Sequence, residues 1–338
     1  MFKVLSAVQD REEWDRCISY LTHDLRDVYL MSGWGRLYET GLATAKLAVL
    51  VDEKLGYIVC QPFLHRKIEG TGYTDMAAAG FGGPFTSHAI PAREDGLLFE
   101  AEFARWRTAH AVVSEFYLLN PIYAGHQFTL LPSLEWIREE RTVYMVHLGS
   151  DEEILMRMRD TRVQSIGKAH TAVMAVASPS GMEHAYQLAM REKGAADRWR
   201  MPVGYFERMG QELEQHSVIF SAVHPVEGPK AIATFIRGTA CAYYSLAATM
   251  DRPMTGYADR CVTEAMTWAR AAGCEWLNMG GGMEDGDTLA SYKKSFGGFA
   301  RKVYSVCRVH DERAYRLLSG DLSLEPRFFP AYRAKEAE

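Results

Sequence analysis

Residues 274–300 read CEWLNMGGGMEDGDTLASYKKSFGGFA, and this stretch says most about the fold. Its first seven residues predict a short strand, which ends in the glycine run Gly280–Gly282. Asp287 lies just before a helical pattern, and an Asp side chain at that position accepts hydrogen bonds from the first free amides of a helix. The stretch therefore predicts a strand, a loop, and a helix that begins at Thr288.

The predicted helix carries an apolar stripe with a lysine beside it. Leu289, Tyr292 and Phe296 recur at helical spacing and are expected to face inward. Lys293 stands next to this stripe, so its ammonium could enter a cleft at the stripe's edge. The glycine run would let a ligand or another backbone approach closely, because no Cβ obstructs it. The residues alone are also compatible with a tight strand–helix turn and a solvated lysine.

The same order of elements occurs twice along the chain. Each half runs from a hairpin through a loop and a helix to a strand, so we infer a duplicated α/β (α+β) unit with mixed sheets flanked by helices. The predicted boundary falls near residues 145–152, where Gly, Ser and acidic residues occur. Among the predicted elements are a glycine-rich loop at 77–87, a strand at 112–119, one helix at 151–169 and a helix at 258–272.

The composition fits an ordinary soluble protein and excludes several classes. The 338 residues are 48% apolar and 24% charged, with a net charge of −5, which disfavours a disordered chain or a non-specific nucleic-acid coat protein. No apolar run reaches the ~18 residues of a membrane span, and no signal peptide is evident. The six cysteines form no CxxC pair, and none has a histidine at zinc-ligand spacing. We therefore expect buried thiols, no metal and a cytoplasmic location.

The stretch at 274–300 resembles the end of the FemAB superfamily, the aminoacyltransferases that build peptidoglycan cross-bridges and their acyltransferase relatives with GNAT-like folds. The family pattern is roughly D-[LF]-G-G, a loop, and D-x-L-x-x-F-K-x-x-F-G. It is matched at 278–281 and 287–297, with Asn278 in place of the family's Asp and Tyr292 in place of its Phe. Looser matches occur at 34–36, 82–84, 162–169 and 200–206.

The resemblance implies two tandem GNAT-like domains, at 1–148 and 149–310, and a tail at 311–338 that packs back on the first domain. It also implies attack of an amine on an activated acyl carbonyl, with Lys293 stabilising the tetrahedral oxyanion. No general base stands out: Asp287 is the nearest acidic candidate, and helix capping is its other role. The substrate-binding residues that we predict are Arg36, Arg162, Arg200, Tyr257, Gly280, Gly281, Gly282 and Tyr292.

Two further patterns bear on the acyl donor. Residues 155–200 carry eight basic and four acidic side chains, which suits an anionic substrate but also a solvated helix face. Residues 164–169 fit the pyrophosphate loop of CoA-dependent acetyltransferases. The run before them predicts a helix rather than the strand that such a loop requires, so we interpret the match as chance.

Three functions remain open from the sequence. The first is transfer of an aminoacyl group from aminoacyl-tRNA to an amine of a small or nucleotide-linked acceptor. The second is acyl transfer from acyl-CoA to an amino sugar or a cell-envelope precursor. The third is a GNAT-like binding protein without activity. No cofactor is expected beyond the co-substrate.

Overall fold

Two compact units make up the chain. The computed structural model describes residues 1–52, 56–192, 194, 201–250, 256–320 and 328–336. Unit 1 consists of Met1–Glu140 and Val303–Glu338, and unit 2 of Arg141–Lys302. Both boundaries fall inside strands, whereas we placed the domain boundaries in loops at 148 and 310. The assignment of 1–148, 149–310 and 311–338 as two domains and a tail remains a prediction.

Strands and helices are interspersed along the described chain. The strands are β1 (Phe2–Ser6), β2 (Ala43–Asp52), β3 (Tyr57–Lys67), β4 (Thr74–Gly82), β5 (Phe85–Thr86), β6 (Val112–Leu119), β7 (Ile137–His147), β8 (Val173–Val176), β9 (Ser217–His224), β10 (Gly228–Arg237), β11 (Cys241–Thr249), β12 (Trp276–Asn278) and β13 (Phe299–Val309). The helices are α1 (Arg11–Ser19), α2 (Ser32–Arg36), α3 (Arg93–Ala109), α4 (Ala124–Leu130), α5 (Asp151–Arg157), α6 (Asp160–Lys168), α7 (Pro179–Glu192), α8 (Tyr205–Leu213), α9 (Tyr257–Ala271), α10 (Thr288–Lys294) and α11 (Glu312–Ser319).

Unit 1 is a mixed sheet in the order β1-β2-β3-β4-β6-β13, with β5 paired to β3. Among the described pairs of this sheet, β4 and β6 are parallel and the others are antiparallel. A parallel pair requires a crossover, and α3 supplies it. Two apolar clusters pack on this sheet, one around Trp14 and Leu47 and the other around Phe103 and Val59.

The glycine-rich loop that we predicted at 77–87 is wrong, because the chain continues there as β4. The strand bulges in its middle: Ala77 pairs with Phe116, but the next pair is Phe81 with Leu118, so three residues of β4 lie opposite one of β6. Gly80 takes φ +85° in this bulge. The alanines and glycines of the stretch thus form an irregular strand rather than a turn.

The β4 bulge is covered by aromatic side chains of the same unit. The Trp34 indole donates a hydrogen bond to the carbonyl of Ala79. A Cβ on Gly80 would lie 2.7 Å from the Tyr29 ring, which stands against Trp34 at a centroid distance of 4.9 Å. The Ala79 carbonyl, which lies in the bulge, is therefore bonded inside the fold.

Unit 2 repeats the arrangement with the order β7-β12-β11-β10-β9-β8. Its parallel pair is β11 and β12, connected by α9. The core lies between the sheet and its helices and includes Phe235, Met266 and Leu277. Both units therefore have the predicted α/β architecture of a mixed sheet flanked by helices.

One predicted helix of unit 2 is two. We expected a single helix at 151–169, but α5 ends at Arg157 and α6 begins at Asp160, because Met158 and Arg159 adopt extended ψ values of 146° and 140°. The 164–169 pattern lies within and just after α6, as the interpretation of a chance match requires. All six cysteines are buried. None of the described helices combines the length and the apolar character of a membrane span.

Candidate active site

The parallel strands of unit 2 diverge where the glycine run begins. β11 and β12 pair over three residues each, and the pairing ends at Tyr243 and Asn278. β11 continues beyond this point, whereas the chain after Asn278 follows β7, where the Met279 amide donates to the Tyr144 carbonyl at 2.9 Å. Tyr244, the next residue of β11, and the glycine run therefore lie on separating strands.

The glycine run leaves room for two side chains of the neighbouring loop and helix. Gly280 has φ +73°, and a Cβ there would lie 3.0 Å from Nζ of Lys293. A Cβ on Gly282 would lie 2.2 Å from Oδ1 of Asp287. The predicted close approach is thus made by the chain itself, and it brings together the two residues for which we predicted a catalytic role.

Asp287 caps α10, as the sequence predicted. Its Oδ1 accepts from the Ala290 amide at 2.6 Å, and its Oδ2 accepts from the amides of Met283 at 2.7 Å and Glu284 at 3.2 Å. These backbone hydrogen bonds, that from Ala290 first, lower the pKa of Asp287. A carboxylate that is held by three amides is a weak proton acceptor, which disfavours Asp287 as the general base.

α10 buries a different stripe from the predicted one. Leu289 is 40% exposed, whereas Ala290 is buried and packs into the core of unit 2. Phe296 is buried and lies beyond the end of the helix. The expectation for Leu289 is wrong because α10 is a short helix whose inward face is set by Ala290 and Tyr292.

Lys293 lies partly buried beside the glycine run. Its Nζ donates to the Gly281 carbonyl at 2.7 Å and lies 6.0 Å from the centroid of the Tyr244 ring. Burial lowers the pKa of Lys293 to about 8; the nearby Arg141 adds to this effect and Asp287 opposes it. At pH 7 the amine is still charged in about nine molecules of ten. The site thus presents a desolvated ammonium with one hydrogen bond to the backbone, and donors for a developing negative charge remain on the same nitrogen.

Arg162 is engaged behind this site. Its Nη1 donates to Asp259 at 2.6 Å and its Nε donates to Ser295 Oγ at 2.9 Å. The guanidinium also lies over the rings of Tyr292, at 4.5 Å, and Phe296, at 4.9 Å. Arg162 therefore ties α6, α9 and the end of α10 together; the substrate-binding role that we predicted for it remains a prediction.

Tyr292 has an unusual hydroxyl. The ring packs against the core of unit 2, and the buried hydroxyl lies near the carboxylate of Asp259. Burial raises the pKa of Tyr292 well above its ordinary value, and the neighbouring Tyr244 adds to this effect. Where the family pattern has Phe, this chain thus places an extra polar atom beside Asp259 and Arg162.

Two further predicted residues, Tyr257 and Arg36, lie on other elements. Tyr257 is buried at the start of α9, where its ring lies 6.1 Å from that of His224. Arg36 ends α2 in unit 1 and is partly buried. Arg200 lies outside the described residues. Their substrate-binding roles remain predictions.

The sequence analysis missed three residues of the site. Tyr244 and Arg141 are close enough to Lys293 for a ring contact and an effect on its pKa, but each sits in a strand without any distinctive motif. Asp285 accepts from the Thr142 amide at 3.1 Å and fastens the acidic loop to β7. Only the density of acidic residues at 284–287 could have indicated that this loop has an anchor.

Both crossover helices begin with a buried carboxylate. Asp95 lies in the first turn of α3, with Oδ2 2.8 Å from His88 Nδ1. Asp259 lies in the first turn of α9 and accepts from Arg162 and Ser165, each at 2.6 Å. A helix N-terminus attracts phosphate through its free amides and its dipole. The charge of a buried carboxylate in the same turn opposes a second anion there.

Close packing occupies the same two helix starts. A Cβ on Gly96 would lie 2.0 Å from the Leu130 carbonyl oxygen, and a Cβ on Gly256 would lie 2.0 Å from that of Ser165. Each helix start is therefore in contact with a carbonyl of another helix in its own unit. Both helix starts are therefore closely packed, and this leaves little room for a pyrophosphate.

No family model and no curated protein matches this sequence. Among solved structures, FemX is similar at a TM-score of 0.72, with 11% identity, over 94% of this chain and 99% of that one. A tandem GNAT protein from the clavulanic acid biosynthesis pathway is similar at a TM-score of 0.53, with 12% identity, over 92% of this chain and 98% of that one. L-PGS from Bacillus licheniformis is similar at a TM-score of 0.52, with 11% identity, over 90% of this chain and 93% of that one. These likenesses confirm the predicted tandem GNAT-like fold.

Proposed function

We propose that this protein is a FemAB-like N-acyltransferase that moves an aminoacyl group from aminoacyl-tRNA to an amine of a small or nucleotide-linked acceptor. The observation that carries the proposal is the partly buried ammonium of Lys293, held 2.7 Å from the Gly281 carbonyl where β11 and β12 diverge. The fold shared with FemX and with a tandem GNAT protein supports an acyltransferase in general.

The proposed reaction needs a donor for negative charge. The neutral amine of the acceptor forms a bond to the ester carbonyl carbon, and the carbonyl oxygen becomes an oxyanion. The C–O bond to the tRNA ribose then breaks, and the proton lost by the amine ends on the leaving ribose oxygen. Lys293 would hydrogen-bond the oxyanion. One such preorganised donor contributes roughly 10²–10³ in rate when water is excluded.

The environment of the crossover helices favours aminoacyl-tRNA over acyl-CoA as donor. At the two helix starts, where a CoA pyrophosphate would need free donors, the buried Asp95 and Asp259 already engage His88 and Arg162. Acyl-CoA remains the alternative donor, with an amino sugar or an envelope precursor as acceptor. One comparison bears on this alternative: the structure of the similar tandem GNAT protein is described as one without AcCoA, which makes AcCoA the donor to test.

The test compares donors and one pair of adjacent lysines. The wild type, Lys293→Met and Lys294→Met are assayed for transfer of labelled amino acids from a charged tRNA pool, and of acetyl from acetyl-CoA, to a panel of amines. Lys294 is exposed on the same helix and is the matched control. We expect tRNA-dependent transfer that falls about 100-fold or more in Lys293→Met and persists in Lys294→Met.

Each other outcome has a definite meaning. Transfer only from acetyl-CoA, saturable in CoA, would replace the proposed donor with acyl-CoA. Equal rates in Lys293→Met and the wild type would remove Lys293 from the mechanism. Tight binding of a nucleotide sugar with no transfer from either donor would favour the non-catalytic interpretation.

A further inference from the structure

Unit 1 contains a cavity that plays no part in the proposed chemistry. Its volume is about 440 Å³, within the range of small-molecule sites. It lies over the parallel strands β4 and β6, and the segment at 328–333 forms one wall. Every residue that lines it belongs to unit 1 and to the described chain, so the cavity shares no residue with the site around Lys293.

The polar side of the cavity is dominated by guanidinium groups. Arg66, Arg138 and Arg333 line it, against a single lining carboxylate, Glu140. Behind them the fully buried Asp75 accepts from Nε of Arg66 at 2.7 Å and from Nε of Arg333 at 2.6 Å. Three positive and two negative groups leave the cavity with a net positive charge.

Asp75 also fixes how the arginines are presented. Asp75 accepts a hydrogen bond from Nε of Arg66 and of Arg333, so each guanidinium is held in place by its Nε. A third donor, the Tyr332 hydroxyl, reaches the same carboxylate at 3.1 Å, so the C-terminal segment is fastened to the floor of the cavity. The arrangement is a preorganised one, in which little side-chain freedom remains to be lost on binding.

Arg138 differs from the other two arginines. It is partly buried, its guanidinium lies 6.0 Å from the centroid of the Phe329 ring, and it has no carboxylate partner among the described residues. A partly desolvated guanidinium without an acid is a strong donor for carboxylate or phosphate oxygens, which its planar fork can bind through two hydrogen bonds.

Part of the cavity wall is aromatic. Phe116 and Phe329 lie 6.4 Å apart at their centroids, and Phe328 and Pro330 continue this wall. Flat apolar surfaces of this kind contact the faces of rings. Guanidinium groups and phenyl rings that line one cavity suit a ligand that has an anionic end and a ring.

We propose that this cavity binds a small aromatic or heteroaromatic anion, with its carboxylate or phosphate on Arg138 and its ring against Phe116 and Phe329. A guanidinium can bind either a carboxylate or a phosphate through two hydrogen bonds, and the experiment distinguishes these two ligands. The proposal does not depend on the proposed function, and its test measures binding without turnover.

The probe is 8-anilinonaphthalene-1-sulfonate, an aromatic anion whose fluorescence rises in apolar sites. It is titrated into the wild type, Arg138→Gln, Arg138→Lys and Arg316→Gln, each checked for an unchanged melting temperature. Arg316 is exposed on α11, outside the cavity. Arg316→Gln therefore removes the same charge elsewhere and serves as the control. Phenyl phosphate, phenylacetate and uncharged benzyl alcohol are then used as competitors.

We expect the dissociation constant of the probe to rise about 10-fold or more in Arg138→Gln, since a hydrogen bond to a charged group is worth roughly that factor. The dissociation constant should rise less in Arg138→Lys, and in Arg316→Gln it should equal that of the wild type. Stronger competition by phenyl phosphate assigns a phosphate, and stronger competition by phenylacetate assigns a carboxylate. Equal competition by benzyl alcohol, or unchanged binding in Arg138→Gln, would overturn the proposal.

Discussion

Replacing Lys293 with methionine should stabilise the protein at neutral pH while it removes the proposed activity. Methionine has a similar length and no charge, so it suits the buried position better. Burial lowers the pKa of Lys293 to about 8 from the ordinary value of 10.5. A base whose pKa is lowered on folding is harder to keep protonated in the native state, so its charge destabilises the fold at neutral pH.

The size of the effect follows from the two pKa values. The lowering of the pKa from 10.5 to about 8 means that the charged lysine destabilises the native state by roughly 3 kcal/mol at pH 7. Loss of the hydrogen bond from Nζ to the Gly281 carbonyl opposes this by about 1–2 kcal/mol. We therefore expect Lys293→Met to raise the free energy of unfolding by about 1–2 kcal/mol at pH 7.

The pH dependence gives a sharper test than the absolute value. Between pH 8 and 10.5 the unfolded chain holds a proton on residue 293 that the native wild type has lost. The stability contributed by this residue therefore rises with pH in that window. The penalty of roughly 3 kcal/mol at pH 7 falls below about 1 kcal/mol at pH 10. The advantage of Lys293→Met over the wild type should thus shrink by about 2 kcal/mol between pH 7 and pH 10.

Urea unfolding at pH 7, 8, 9 and 10 measures this difference for the wild type, Lys293→Met and Lys294→Met. Titrations common to all three proteins cancel in the comparison. The exposed Lys294 should give a difference from the wild type that is small and independent of pH. A difference between Lys293→Met and the wild type that stays constant from pH 7 to pH 10 would show that Lys293 is not held with a lowered pKa.

Three substitutions test the contacts around the lysine. Asp287→Ala removes the cap of α10 and should lower the free energy of unfolding by about 1–2 kcal/mol in urea titrations, whereas Asp287→Asn should retain most of it. Gly280→Ala brings a methyl group to 3.0 Å from the lysine Nζ and should reduce turnover about tenfold or more. Gly286→Ala shares the left-handed φ but meets open space, so equal losses of turnover in both variants would assign the effect to backbone strain. Arg162→Ala leaves the buried carboxylate of Asp259 without its cation and should cost about 3 kcal/mol of stability or more. A change below about 1 kcal/mol in the same titration would contradict that estimate.

Local rules predicted the part of the site that depends on local structure. The cap by Asp287 and the start of α10 at Thr288 follow from side-chain chemistry within four residues, and both are confirmed. The strand at 112–119 is confirmed to the residue as β6, because its apolar and β-branched residues fit a strand wherever it lies. These features depend little on the rest of the molecule.

The errors occur where tertiary contacts decide. Residues 77–87 have the composition of a loop, but pairing to β6 and cover by Trp34 and Tyr29 make most of them a bulged strand. Tyr244 and Arg141 belong to the site only because β7 and β11 bring them near α10, which is not visible in the sequence around either residue. The burial of Asp259 likewise depends on α6, more than ninety residues earlier.

The environment that makes Lys293 unfavourable for folding is also the one that suits it to the proposed reaction. A low-dielectric surrounding that lowers the pKa of an ammonium also strengthens its attraction to an oxyanion. In the wild type, the Gly281 carbonyl only partly compensates for the lost hydration, and an oxyanion would compensate for more of it. Binding of a tetrahedral-intermediate analogue should therefore raise the pKa of Lys293 from about 8 toward 10.5. The analogue should accordingly bind with uptake of a proton near pH 8.5, measurable as a dependence of the binding enthalpy on the ionisation enthalpy of the buffer, and this dependence should be absent in Lys293→Met.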